Sequence, residues 1–304
     1  LNLRTRICEL FGVRYPIVQT GMGYVSGPEL TAATANAGGL GILASATMAY
    51  PELVTAIRET RERTGAPFGV NLRADAPDAV DRVELLIREQ VRVASFALAP
   101  DPALIRRLKD GGVLVVPSVG ARRHAEKVAG WGADAVVVQG SEGGGHTGPV
   151  PTTVLLPQIV DTVDIPVIAA GGFFDGRGLV AALAYGAAGI AMGTRFLLTS
   201  DCTVPEPVKR RYLAASVTDT VVTSALDGVP QRLLRTTLVD EIIHSGRSAP
   251  AAAHRAAMVD GRPDLGVMAA GQVAGLIEDL PSCAELIDRI IAQAGQVLCE
   301  LAHA

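Results

Sequence analysis

The chain has no run of basic residues. Its 27 Lys and Arg are outnumbered by 31 Asp and Glu, which argues against nucleic acid as a partner. Aromatic residues are scarce, 4% of the chain with a single Trp, so the core must be filled by aliphatic packing. Cys8, Cys202, Cys283 and Cys299 stand far apart. They have neither metal-ligand spacing nor the density of a disulfide scaffold, and they read as reduced packing thiols of a cytoplasmic protein. The opening LNLRTRICELFG holds no apolar signal core. The longest uncharged stretch, Gly178–Thr194, is broken by Gly186, Gly189 and Gly193. A membrane span needs about 20 apolar residues, so this stretch reads as a helix, a turn and a buried strand, and no membrane is expected. No GxGxxG follows the first apolar run, and no GxxxxGK or GxSxG occurs anywhere. These absences argue against a dinucleotide fold, a P-loop and a hydrolase elbow. His124, on a helix with Arg122 and Arg123, reads as a surface residue, and His244, His254 and His303 of the later segments form no metal cluster, so no metal is expected.

What the chain does have is hydrophobic surface, 49% of 304 residues, enough for one large α/β barrel with additions. Apolar runs recur at Pro16–Gln19, Leu40–Ala44, Phe68–Leu72, Val93–Ala97, Val113–Pro117, Ala135–Gln139, Pro166–Ala170 and Gly189–Met192. Most are continuous rather than alternating, as strands buried on both faces are. Helical patterns lie between them. Ser26-Gly-Pro-Glu29 reads as a capping box, and Asp101-Pro102 opens another helix. Eight strands alternating with helices predict a parallel (β/α)8 TIM barrel over residues 1–198. An open doubly wound sheet is the alternative. Residues 199–265 are polar and proline-rich, and are expected to form an appendage or lid, mobile in part. Residues 266–304 are expected to form two C-terminal helices. The second starts at the capping box Ser282–Glu285 and packs on the barrel or on a second subunit, which would make a homodimer.

In such a barrel the loops after the strands form the site. The run Ala135–Gly148 ends a strand in Gln139 and continues into a glycine-rich loop bearing His146. By itself this histidine reads equally as a solvated loop residue or as a titratable group at the barrel mouth. Glu142 reads as an exposed carboxylate rather than its partner. The turns Gly171-Gly172 and Gly193-Thr194 follow the seventh and eighth strands, where barrels bind phosphate through backbone N–H groups. One such turn alone would mean only a tight bend, but two at these places point to a phosphate.

QTGM at Gln19–Met22, NAGGLG at Asn36–Gly41, FGVN at Phe68–Asn71, GSEGGGHTG at Gly140–Gly148, AAGG at Ala169–Gly172, MGTRF at Met192–Phe196 and MAAGQVAGL at Met268–Leu276 together resemble the nitronate monooxygenase (2-nitropropane dioxygenase) family, over essentially the whole chain. The resemblance implies a TIM barrel with non-covalent FMN. It implies that Gly171, Gly172, Gly193 and Thr194 hold the FMN phosphate, that Gly21, Met22, Asn71, Gln139 and Gly144 line the flavin, and that Gln272 closes the site. It also implies His146 as the catalytic base or proton donor, with the flavin accepting or donating hydride. Thr20, Ser118 and Gln139 depart from residues common in nitronate-oxidising relatives, and the pattern is similar to thioester-reducing ones. The implied activity is α,β-dehydrogenation or reduction of an acyl-CoA-type thioester, as in steroid-ring catabolism. Nitronate oxidation with O2, NAD(P)H:quinone reduction and a non-catalytic flavin-binding barrel are the alternatives, with NAD(P)H a candidate electron donor. Arg210, Arg211, Arg232 and Arg235 are candidates for the CoA phosphates.

Overall fold

Short β-branched runs bounded by glycine and proline become strands because both of their faces can be buried. The computed structural model describes residues 3–97, 100–246, 249–250 and 252–303. Its strands are β1 (Ile17–Gln19), β2 (Leu40–Ala44), β3 (Phe68–Leu72), β4 (Val93–Phe96), β5 (Leu114–Val119), β6 (Val136–Gln139), β7 (Gly145–His146), β8 (Val167–Ala170), β9 (Gly189–Met192), β10 (Thr220–Thr223) and β11 (Gln231–Leu234). Its α-helices are α1 (Arg6–Phe11), α2 (Pro28–Asn36), α3 (Tyr50–Arg63), α4 (Ala79–Arg88), α5 (Pro102–Asp110), α6 (Arg122–Gly130), α7 (Thr152–Val160), α8 (Gly176–Ala184), α9 (Thr194–Leu197), α10 (Glu206–Leu213), α11 (Thr237–Ser245), α12 (Ala253–Met258) and α13 (Cys283–Ala302).

Strands β1–β6, β8 and β9 form a closed parallel barrel in chain order. This is the predicted (β/α)8 TIM barrel, and the open sheet is excluded. Closure comes from β1 lying beside β9 as well as β2, with Ile17, Val18 and Gln19 opposite Ile190, Ala191 and Met192. Val18, Ile42, Val93, Val116, Val137, Ile168 and Ala191 share one apolar cluster, which Ile7, Cys8 and Phe11 of α1 join. Ile17, Val136, Val138, Ala169 and Ile190 pack instead with residues of α7, α8 and α13. The period-two alternation of strand side chains thus splits each strand between two layers.

Two of the three predicted helix starts hold. Asp101 Oδ1 accepts from the N–H groups of Ala103 and Leu104 at 2.6 and 3.1 Å. Ser282 and Glu285 make the reciprocal capping box of α13. The third does not hold. The N-cap of α2 is Gly27, and no side chain caps it. Ser26 Oγ turns back instead to accept from Met22 N at 2.9 Å and to donate to Thr20 O at 3.0 Å. The hydroxyl is worth more in the loop after β1, whose N–H would otherwise go unpaired.

The two C-terminal helices are one helix and one 3₁₀ segment, Gln272–Leu276. Helix α13 buries Cys283, Leu286, Ile287, Ile290 and Ala294 and packs on the barrel, against α8 and α2. Contact with α8 is so close that a Cβ at Gly176 would stand 2.4 Å from Ala294 N. The 199–265 segment carries α10, α11, α12 and the β10–β11 hairpin. Residues 247–248 and 251 of its HSGRSAPAAA run lie outside the described residues. The loop after β6 is more ordered than its glycines suggest, because β7 joins the hairpin in a three-stranded sheet. No helix among the described residues is long and apolar enough to cross a membrane.

Strand and helix layers fit closely at Gly41 of β2, where a Cβ would fall 2.1 Å from Thr31 O of α2. A backbone oxygen cannot be moved like a side-chain tip. Gly41→Ala should cost about 2–3 kcal/mol of stability, read as a lower urea midpoint with an unchanged slope.

Candidate active site

The rim of the barrel is built on Gln19, whose side chain is fully buried. Its Nε2 donates to Ser26 Oγ at 2.9 Å and to Ile42 O at 3.1 Å, and its Oε1 accepts from Ile42 N at 3.3 Å. Together with Ser26 this fixes the Gly21-Met22 turn. Gly21 lies against β3: a Cβ there would stand 2.5 Å from Asn71 Cβ. Asn71 Nδ2 is held by Ser95 Oγ at 3.0 Å. A Cβ at Gly193 would be 3.1 Å from Thr20 Oγ1 and 3.3 Å from Met22 Sδ. Gly21, Met22, Asn71 and Gly193 therefore meet at one point of the rim, over β1, β3 and β9.

A second cluster adjoins it through Thr194. Thr194 Oγ1 accepts from Gly271 N at 3.0 Å, and a Cβ at Gly144 would stand 2.7 Å from the same nitrogen. Gln272 N donates to Glu142 O at 3.0 Å. Gly171 and Gly172 both have positive φ, 97° and 83°, conformations that favour glycine. Glu142 lies beside Gly172. Contrary to the expected exposed carboxylate, it is half-buried and accepts from Thr152 N and Thr152 Oγ1, the latter at 2.8 Å. It thereby serves the open N-terminus of α7.

His146 stands at the exposed edge of this ring. Gln139 Nε2 donates to His146 O at 2.8 Å, so the Gln139 amide braces the histidine loop. In β7, His146 lies opposite Gln231. His146 Nε2 is 2.8 Å from Asp227 Oδ2 in the β10–β11 turn. Burial works to raise the Asp227 carboxyl, but hydrogen bonds from His146, Gln231 and Val229 N hold it below the ordinary carboxylate value. Asp227 was missed in the sequence, since 81 residues separate it from His146 and no local motif marks it.

His254, read from the sequence only as an appendage residue, is also at the rim. Its ring meets Tyr24 edge-on at 5.3 Å, and Tyr24 has the unusual φ of 61° for a residue with a side chain. Tyr24 N donates to Thr47 Oγ1 at 3.1 Å. Thr47 sits in a loop that Arg82, itself buried, holds through Ser45 O and Met48 O at 2.9 and 2.8 Å. Of the four candidate CoA arginines, two already have partners. Arg232 donates to Ser141 O and Thr220 Oγ1, and Arg235 pairs with Asp240. Arg210 and Arg211 are exposed on α10.

Residues 4–293 match the nitronate monooxygenase family. The chain belongs to that family. Members of the nitronate monooxygenase family are oxidoreductases, and this chain is one. It is 56% identical to a Rhodococcus jostii protein, the (3aS,4S,5R,7aS)-5-hydroxy-7a-methyl-1-oxo-octahydro-1H-indene-4-carboxyl-CoA dehydrogenase, with 96% of each chain covered. Identity to the Mycobacterium tuberculosis dehydrogenase of the same name is 55%, with 97% of each covered. Among solved structures, FabK from Thermotoga maritima superimposes with a TM-score of 0.95 at 39% identity, covering 99% of both chains.

Burial holds the His254 imidazole below its ordinary value of 6.5. The unfolded chain therefore takes up a proton that the folded chain resists, and stability falls as the pH drops below that value. His254→Phe keeps a ring against Tyr24 and removes the proton site. Its Tm should fall less than that of the wild type between about pH 7.5 and about pH 5.5.

Proposed function

We propose that this oxidoreductase is FMN-dependent and dehydrogenates an acyl-CoA thioester at the carbons next to the carbonyl, with a compact fused-ring acid as the acyl group. The observation that carries the reading is the full-length identity of 56% with a dehydrogenase named for such a thioester. The rim is what supports FMN. Gly171 and Gly172 both have positive φ, and a turn of two such glycines would offer backbone N–H groups, rather than side chains, to a phosphate. Thr194 Oγ1 accepts from Gly271 N, which leaves its own proton to donate. Gly21 lets Asn71 approach closely and Gly193 does the same for Thr20 and Met22, a lining that would suit a planar ring. FMN supplies a hydride acceptor or donor when bound.

The chain's own part is the proton and the positioning. Gly171, Gly172, Gly193 and Thr194 would anchor the phosphate. Gly21, Met22, Asn71, Gln139 and Gly144 would border the ring system, and Gln272 would close the C-terminal side. His146 takes the proton from the carbon next to the thioester carbonyl, and in the reverse direction returns it. Reduction with NAD(P)H as electron donor would run the same residues backwards.

The protein purified with riboflavin 5′-phosphate should be yellow. The bicyclic CoA thioester named for the Rhodococcus relative should bleach it anaerobically. Bleaching by a nitronate and not by the thioester would favour nitronate oxidation, and bleaching by NAD(P)H alone would favour a reductase. His146→Ala should keep the colour and lose about 10²–10⁴-fold in turnover. Wild-type turnover in that variant would remove His146 from the chemistry.

A further inference from the structure

The segment 199–265 reaches His146 itself through the side chain of Asp227. Asp227 lies in the turn between β10 and β11, and the same hairpin takes β7 as its third strand. Backbone pairing therefore sets where each partner starts. His146 is held opposite Gln231, and Thr147 N donates to Pro230 O at 3.1 Å. Asp227 is held from its own side, because its Oδ1 accepts from Val229 N at 3.1 Å. One carboxylate oxygen thus fastens the turn, and the other, Oδ2, reaches His146 Nε2 at 2.8 Å.

An ionised carboxylate only accepts hydrogen bonds, so Nε2 must carry the proton it shares with Asp227. Nδ1 of the neutral ring is then the atom with a lone pair. Among the described residues it has no hydrogen-bond partner. We propose that Asp227 is the positioning residue of His146: it takes the Nε2–H and leaves Nδ1 to receive the substrate proton. The proposal rests on the reading of His146 as the proton-handling group. In the step, the C–H bond next to the carbonyl breaks, its proton goes to Nδ1, and its electron pair stays on the substrate. The resulting imidazolium keeps its Nε2–H on Asp227.

The pair is too exposed, 45% and 43%, to add much to stability. Its value is orientation and charge. Among the described residues, the other charged groups facing it are Asp75 and Arg73 of the loop after β3, which are paired to each other at 2.7 Å. As an ion pair they offset one another, so Asp227 is the carboxylate that acts on the ring.

The test reads the pair from the Asp227 side, where the hydrogen bond from His146 helps hold the carboxyl below its ordinary value. The Asp227 Cγ resonance, assigned by its absence from Asp227→Ala, is followed by NMR against pH in the FMN-loaded protein. In His146→Ala its midpoint should rise, since a hydrogen bond to the ionised carboxylate is lost. An unmoved midpoint overturns the pairing whatever the substrate is. Turnover of the bicyclic CoA thioester adds the functional arm. Asp227→Ala should lose about tenfold or more in kcat with KM little changed, and Asp227→Glu should restore most of it. If His146→Ala is inactive while Asp227→Ala keeps wild-type kcat, the positioning role fails and the reading of His146 stands. If His146→Ala is fully active, that reading fails instead.

Discussion

Closure of the sheet is the constraint from which the rest follows. Val18 and Ala191 must lie side by side although most of the chain separates them. Every connection between them has to cross on the outside and return. A closed ring leaves no strand edge to be protected. It also gathers all the loops that follow the strands at one end. Residues as distant as Gly21, Asn71, Gly144 and Thr194 become neighbours for that reason. Glycine at the contact points lets the segments meet: Gly21 against the Asn71 side chain, and Gly144 against the Gly271 backbone.

This also explains which features could be read from the sequence. The barrel strands were visible because burial on both faces writes an unbroken apolar run, as in Val136–Val138. The caps at Asp101 and Ser282 were visible because capping is local, a matter of three residues. Ser26 showed the same local pattern and was drawn away by the loop after β1, where Met22 N and the Gln19 amide, itself tied to β2, both need its oxygen. Glu142 was drawn to Thr152 in the same way. In both cases a polar side chain had two possible partners, and only the fold decides between them.

The pairing of β7 with β11 lies beyond any pattern. Two residues, Gly145 and His146, are too few to show a period, and their partners come from a segment whose hairpin has partly exposed faces. His254 is similar. Nothing around it in the sequence distinguishes it from His244, yet α12 brings it to Tyr24, while His244 stays exposed on α11. Glycine turns announce a ligand site by their own chemistry. Side chains that complete the site from another part of the chain do not.

The bond from Glu142 to Thr152 has an effect beyond the helix end it serves. It closes the chain between these two positions into a short ring, pinned again at mid-span where Gln139 meets His146 O. The freedom such a glycine-rich span would have in water is already surrendered when the barrel forms. An arriving ligand therefore finds an imidazole that does not have to be ordered, and its binding energy is not diverted to taming the segment that carries it.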